Sequence, residues 1–175
     1  MITNTIFFKA TDGVDLKGII YKSQEQTQKI LISIHGMATN CIKQRDEKIA
    51  EKLNEINIDL LAFNNRGHDL VNYIKKENKE KQLAGTAYEE IAESYEDILG
   101  AIKYAIKNNY SEIYLMGHSL GSTKTIYAYN KMLNENAVII CQYVKGNYVP
   151  CEQDSLEIMK NYNYGVSEVT IYRLK

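Results

Sequence analysis

One short segment of the chain carries the residue types of nucleophilic catalysis. Gly117-His118-Ser119-Leu120-Gly121 matches the pattern Gly-x-Ser-x-Gly, in which a serine hydroxyl attacks an acyl carbonyl. The pattern requires a sharp turn from a strand into a helix, because that turn raises the serine Oγ above the sheet. The backbone N–H of Leu120 then lies at the start of the helix, where it can donate to the oxyanion of a tetrahedral intermediate.

A second oxyanion donor is expected from the loop that follows an earlier strand, and His35-Gly36-Met37 occupies that place. These residues come directly after the apolar run from Lys29 to Ile34. Gly36 would allow the backbone to turn the N–H of Met37 toward the intermediate, and we expect His35 to shape this loop. Two features at compatible positions indicate acyl-transfer chemistry more specifically than the pentapeptide alone.

The elements that would hold these segments alternate between strands and helices. Apolar runs at 29–34, 58–63, 113–116 and 137–144 predict strands, and helical periodicity predicts helices over 41–55, 86–106 and 123–133. A hairpin that turns at Thr11-Asp12-Gly13 precedes them. The order predicts an α/β fold with a mostly parallel, doubly wound sheet and an N-terminal antiparallel hairpin.

Two further local predictions concern the stretch before the nucleophile. The polar segment from Leu70 to Gly85 shows little periodicity and is interpreted as a surface excursion with at most a turn or two of helix. Thr86 and Glu89 have the spacing of a capping box, in which hydroxyl and carboxylate bind each other's backbone amides. This spacing predicts that the next helix begins there.

At these residues the chain resembles the α/β-hydrolase superfamily, specifically its esterase- and lysophospholipase-like serine hydrolases. The similar segments are 33–37, 65–68 and 115–122, and the likeness runs from about the opening hairpin to about residue 144. The resemblance implies a nucleophile elbow with Ser119 as nucleophile, an oxyanion hole formed by Met37 and Leu120, and a small acyl ester as substrate. Gly117, His118 and Gly121 belong to the supporting motif, as do His35 and Gly36.

Two positions depart from the pattern of these hydrolases, and a third part of the pattern is missing. Asn64 stands where many relatives carry Asp, and Asp69 stands where many carry Gly. The hydrolase triad continues with an acid and then a histidine after the serine, but no histidine follows Ser119. Asp154 is the only later aspartate and a weak candidate for the acid.

The histidines therefore leave the general base unassigned. His68 is the only one considered as a substitute base, and a hydrogen bond that orders its loop is the competing interpretation. We expect impaired ester hydrolysis, since a serine hydroxyl without a base is a poor nucleophile. The alternative is a catalytically inactive, C-terminally truncated remnant, or an interaction module on the same fold.

Composition excludes several other classes of function. With 21 Lys+Arg against 22 Asp+Glu, the net charge of −1 argues against a nucleic-acid partner. No apolar run reaches the roughly 18 residues of a membrane span. The chain shows neither metal-ligand spacing nor a glycine-rich nucleotide loop, so no metal or cofactor is expected.

Length and cysteine content complete the expectations. The 175 residues suit one domain over 1–175, with a recognisable core at about 5–144 and an atypical tail at 145–175. The three cysteines have no Cys-x-x-Cys spacing and predict free thiols in a reducing cytoplasm. Because the last strands of the fold are expected to be missing, an exposed sheet edge could allow self-association.

Overall fold

The computed structural model describes residues 1–77, 81–132, 138–144, 156–164 and 167–174. The strands are β1 (Ile2–Lys9), β2 (Asp15–Lys22), β3 (Lys29–Ile34), β4 (Asp59–Asn64), β5 (Asn72–Lys75), β6 (Lys81–Ala84), β7 (Glu112–His118), β8 (Val138–Val144), β9 (Leu156–Tyr164) and β10 (Ser167–Leu174). The helices are α1 (Gln44–Asn54), α2 (Ser94–Lys107) and α3 (Leu120–Lys131), and a short 3₁₀ turn at Ile91–Glu93 precedes α2.

Eight of the described strands form one sheet in the order β1-β2-β4-β3-β7-β8-β10-β9. The four central strands, β4, β3, β7 and β8, pair in parallel. The pairs toward both edges of the sheet are antiparallel. The predicted alternation of strands and helices around a parallel core is therefore confirmed, as is the N-terminal hairpin.

The central strand β3 shows why this sheet is covered on both faces. All of its residues after Lys29 are buried, and successive side chains point to opposite faces. Ile30 and Ile32 join the hydrophobic core with Ile98 of α2 and with α3. Leu31 instead joins a second core with Ala50 of α1. Helices therefore cover both faces, as predicted for a continuous apolar strand.

The capping-box prediction is wrong, because Thr86 and Glu89 take part in long-range contacts. The Thr86 hydroxyl donates to Gly67 O at 2.9 Å and accepts the N–H of Ala38 at 2.9 Å. Glu89 binds Lys124 of α3. Tertiary partners thus replace the local ones, and α2 begins later, at Ser94, after the 3₁₀ turn.

The segment between Leu70 and Gly85 also differs from its prediction. In place of helical turns it forms β5 and β6, which pair antiparallel. Along β5 the side chains alternate between partly buried and exposed, and Ile74 packs against the main core. The Glu77 N–H donates to Gly13 O at 3.1 Å, which fastens this small hairpin to the turn between β1 and β2.

The tail contributes two strands to the main sheet. β10 pairs antiparallel with β8, with Val169 opposite Gln142, and β9 pairs antiparallel with β10. β8 is therefore paired on both sides, and the outermost described strands are β1 and β9. Self-association through an exposed sheet edge stays a prediction.

Candidate active site

Ser119 occupies a sharp turn between the end of β7 and the start of α3. Its backbone has φ +53° and ψ −123°, and its side chain is exposed. A positive φ at a residue other than glycine is held only where the surrounding structure enforces it, at a cost of about 1–3 kcal/mol. Here the Ser122 N–H donates to Ser119 O at 2.8 Å and closes the turn.

The glycines on both sides of Ser119 allow this turn to pack closely. A Cβ on Gly117 would lie 2.4 Å from Gly121 O. A Cβ on Gly121 would lie 2.2 Å from Ile34 O, at the end of β3. Both distances are far below van der Waals contact. A larger residue at Gly117 would therefore force β7 and α3 apart, and one at Gly121 would force β3 and α3 apart.

The loop after β3 meets the serine turn at Gly36. A Cβ there would lie 3.1 Å from the Cβ of Ser119 and 3.0 Å from His118 O. Met37 follows with its side chain exposed, and Leu120 is the first residue of α3. Within the described part of the chain, the N–H groups of Met37 and Leu120 have no acceptor.

A groove of about 560 Å³ opens beside Ser119. It is lined by Gly36, Met37, Thr39, His118 and Ser119, and by the three residues at the start of α1, Lys43, Gln44 and Arg45. The groove can hold a small substrate with its reactive carbonyl beside the serine hydroxyl. Its charged side chains are both cationic.

His35 lies behind this groove and uses both ring nitrogens. It is 2% exposed; its Nε2 accepts the Asn65 N–H at 3.3 Å and its Nδ1 donates to Gly36 O at 2.9 Å. Burial lowers the pKa of His35 to about 4, so the imidazole is neutral near pH 7. This geometry holds the loop at Gly36 in place.

Of the other two histidines, only His118 lines the groove with Ser119. Its Nδ1 is buried and has no hydrogen-bond partner among the described residues, and burial lowers its pKa. The Nδ1 of His68 instead contacts the side chain of Asn72 and lies 3.6 Å from Asp69 Oδ2. His68 as a substitute base stays a prediction, and Asp154 lies outside the described residues.

Asp69 and Asn64, which depart from the hydrolase pattern, both connect loops near the groove. Asp69 has φ +57°, a conformation that favours glycine. Its N–H donates to Thr39 O at 2.8 Å, and its carboxylate accepts from Asn40 at 2.9 Å. Asn64 Oδ1 accepts the N–H of the buried Cys41 at 2.7 Å. Cys41 itself is a free thiol that belongs to the second hydrophobic core.

Sequence reasoning missed a buried ion pair next to the site. Lys124 of α3 is fully buried, and its Nζ lies 2.5 Å from Glu89 Oε2 and 3.2 Å from Asn65 Oδ1. Lys124 stands three residues after Gly121 and four before Ala128, both of which are buried. That spacing places a lysine on the inner face of the helix, a signal that an acidic partner was needed.

A second buried cluster supports the loop after β4. Arg66 donates through Nη2 to Asp97 at 2.8 Å and to Asp12 at 3.0 Å. Burial alone would lower the pKa of Arg66, but the hydrogen bonds and charge of Asp97 raise it above its ordinary value. This cluster joins the loop after β4 to α2 and to the turn between β1 and β2.

The described residues contain neither a metal-binding cluster nor a membrane-spanning helix. No three or more His, Cys, Asp or Glu side chains are arranged to hold a metal ion there. None of the helices in that part of the chain is long and apolar enough to cross a membrane.

No protein-family model and no curated protein matches this sequence. Solved structures do match. The α/β hydrolase GrgF from Penicillium sp. sh18 aligns with a TM-score of 0.58 and 20% identity, covering 73% of this chain and 41% of that one. Est1E from Butyrivibrio proteoclasticus, with ferulic acid bound, aligns with a TM-score of 0.57 and 22% identity, covering 73% of this chain and 48% of that one.

A third similar structure is the esterase Pf2001 from Pyrococcus furiosus. It aligns with a TM-score of 0.54 and 19% identity, covering 76% of this chain and 47% of that one. The chain thus spans less than half the length of each of these three proteins. At these identities the likeness concerns the fold alone. The resemblance noted in the sequence is confirmed at that level: the chain has the α/β-hydrolase fold.

Proposed function

We propose that the protein is a serine hydrolase that cleaves carboxyl esters through Ser119. The observation that supports this most directly is the exposed Ser119 at φ +53° between β7 and α3, beside a groove of about 560 Å³. A strained turn that presents a hydroxyl to a groove is the arrangement that a nucleophile needs. One of the similar structures described above, Pf2001, is of an esterase.

The reaction follows from the groups around the serine. Ser119 Oγ forms a bond to the ester carbonyl carbon, and its proton passes to a water molecule, which later returns a proton to the leaving alcohol. The π electron pair of the carbonyl moves onto its oxygen, which becomes an oxyanion. The N–H groups of Met37 and Leu120 donate to that oxyanion. The bond to the alcohol oxygen then breaks, the alcohol leaves with a proton, and water hydrolyses the acyl-enzyme.

The lack of an assigned general base for Ser119 limits the expected rate of ester hydrolysis. Since no histidine follows Ser119 in these 175 residues, and His118 alone of the three lines the groove, the usual triad is not assembled from this chain. An oxyanion hole and substrate binding without a complete triad still give about 10³–10⁴-fold catalysis over water. From these 175 residues by themselves we therefore expect slow turnover.

A fluorophosphonate probe and 4-nitrophenyl butyrate test the proposal. Wild-type protein should be labelled on Ser119 and should hydrolyse the ester above the buffer rate, and Ser119→Ala should lose both. Ser111→Ala is the matched control, because Ser111 is an exposed serine before the opposite end of β7. Folded wild-type protein that shows neither labelling nor turnover would overturn the proposal in favour of an inactive remnant.

A further inference from the structure

The groove beside Ser119 has a charge that ester hydrolysis alone does not require. Lys43 and Arg45 both line it, and none of its lining residues is a carboxylate. Lys43 makes no ion pair with any residue that the structure describes, and its side chain is exposed. A cation that lines a groove without a partner is free to meet a negative charge on a ligand.

Arg45 is oriented by a carboxylate that lies behind it. Its Nε and Nη2 donate to Asp46 Oδ1 at 3.2 and 2.9 Å, which leaves Nη1 without a partner in the described part of the chain. Asp46 is 1% exposed and is also bound by the hydroxyl of Ser33 at 3.0 Å. Asp46 thus fixes the guanidinium and offsets part of its charge without itself reaching the groove.

The start of α1 is a further feature at the same place that favours an anion. No side chain caps the N-terminus of α1, whose first residues, Gln44 and Arg45, line the groove. The first amides of a helix carry a partial positive charge and lack partners within the helix.

Resting on the proposed function, we infer that the ester substrate carries a second, anionic group, either a carboxylate or a phosphate. Lys43 and Arg45 bind this group beside Ser119. The charged group would lie at the start of α1 while the ester carbonyl lies at the serine. Arg45 supplies a directed hydrogen bond and Lys43 a mobile charge. The groove would then select charged esters over neutral esters of the same length.

The preference for a charged over a neutral ester, measured as a ratio of two kcat/KM values, tests this inference. We compare kcat/KM for 4-nitrophenyl hemisuccinate, which carries a carboxylate, with that for 4-nitrophenyl butyrate, which does not. The ratio should fall about threefold in Lys43→Gln, as for an exposed ion pair, and about tenfold in Lys43→Gln/Arg45→Gln. In Lys43→Gln/Arg45→Lys, which keeps a positive charge at position 45, the loss should be smaller than tenfold. Lys48→Gln, an exposed lysine on the same helix outside the groove, should leave the ratio unchanged.

Binding to the Ser119→Ala protein tests the inference without catalysis, so that its failure is distinguishable from failure of the proposed function. Monomethyl succinate and glycerol 3-phosphate, added separately, should shift the amide NMR signals of residues 36–45 and 118–120, and dimethyl succinate should not. The monoester and the phosphate distinguish the two sources of charge. Equal shifts with the neutral diester, or none with either anion, would overturn the inference, as would an unchanged ratio in the double variant.

Discussion

Lys124 and Glu89 form an ion pair that is almost completely shielded from water. The ammonium nitrogen lies 2.5 Å from Glu89 Oε2, and the two side chains are 0% and 5% exposed. Glu89 fills the space that a side chain on Gly67 would occupy, because a Cβ there would come within van der Waals overlap of its carboxylate. The pair therefore joins α3, which begins at Leu120, to the segment that precedes α2.

Removing one member of this pair should destabilise the protein strongly. Lys124→Met leaves the Glu89 carboxylate buried without its counter-ion, and the expected loss in the free energy of unfolding is about 3–5 kcal/mol. Urea unfolding followed by tyrosine fluorescence measures it, since the chain has 14 tyrosines and no tryptophan. In Lys124→Met/Glu89→Gln the loss should be smaller than in the single variant. If the double variant loses the sum of both single effects, the two charges do not interact.

The buried His35 should make the protein less stable in mild acid. Its folded-state pKa of about 4 lies below the ordinary value of 6.5, so between these values the unfolded chain binds more protons. The stabilisation is complete above pH 6.5 and is lost as the pH falls toward 4. Between about pH 7.5 and about pH 5 this histidine should account for a decrease of about 2 kcal/mol in the free energy of unfolding.

His35→Asn separates this effect from the other titrating groups. The asparagine amide can still donate to Gly36 O but has no titrating ring, so the slope of stability against pH should become shallower. The N–H of Asn65 loses its acceptor, which should lower stability at about pH 7.5 by about 1–3 kcal/mol. Parallel curves for the wild-type and variant proteins would contradict the assignment.

Two glycine substitutions should separate stability from reactivity. In Gly121→Ala the methyl group would lie 2.2 Å from the backbone oxygen of Ile34, and we expect a loss of about 3 kcal/mol or more by urea unfolding. In Gly36→Ala the nearest atoms are 3.0 and 3.1 Å away, and one of them is the Cβ of Ser119. That variant should lose only about 1 kcal/mol.

Labelling of the Gly36→Ala protein by the fluorophosphonate should nevertheless slow by about tenfold, since small displacements at a reacting group are costly. A Gly36→Ala protein labelled at the wild-type rate would show that this loop does not position the serine. Gly121→Ala with wild-type stability would contradict the packing of α3 against β3.

His68 should contribute little to any esterase activity. Its Nδ1 contacts Asn72, and its ring does not line the groove at Ser119. His68→Ala should leave the rate of 4-nitrophenyl butyrate hydrolysis largely unchanged. A loss of about a hundredfold or more, the scale of general-base catalysis, would identify it as the base after all.

The sequence predicted the parallel core because local and tertiary demands agree there. The run at 29–34 is apolar on every position that the sheet buries, and the glycines around Ser119 are required by the turn itself. Local signals failed where a distant partner uses the same atoms. Thr86 and Glu89 have the spacing of a capping box, yet the first binds Gly67 and Ala38 and the second binds Lys124.

The cationic groove could not be predicted for a related reason. Lys43 and Arg45 read as ordinary exposed residues of an amphipathic helix, and only the pairing of β3 with β7 brings the start of α1 beside the serine turn. The small hairpin of β5 and β6 was missed because its strands are short and mostly exposed. Such strands carry almost none of the apolar alternation that identifies longer ones.

The close approach of Gly121 to Ile34 O also has a consequence for folding kinetics. The serine turn takes its shape only when α3 is packed on β3, whose pairing with β7 closes a long loop that contains α1, β4, the β5–β6 hairpin and α2. Contacts of such large sequence separation form slowly, because loop closure costs chain entropy before any pairing energy is gained. The reactivity of Ser119 toward a phosphonate should therefore appear late during refolding and report when the centre of the sheet has been assembled.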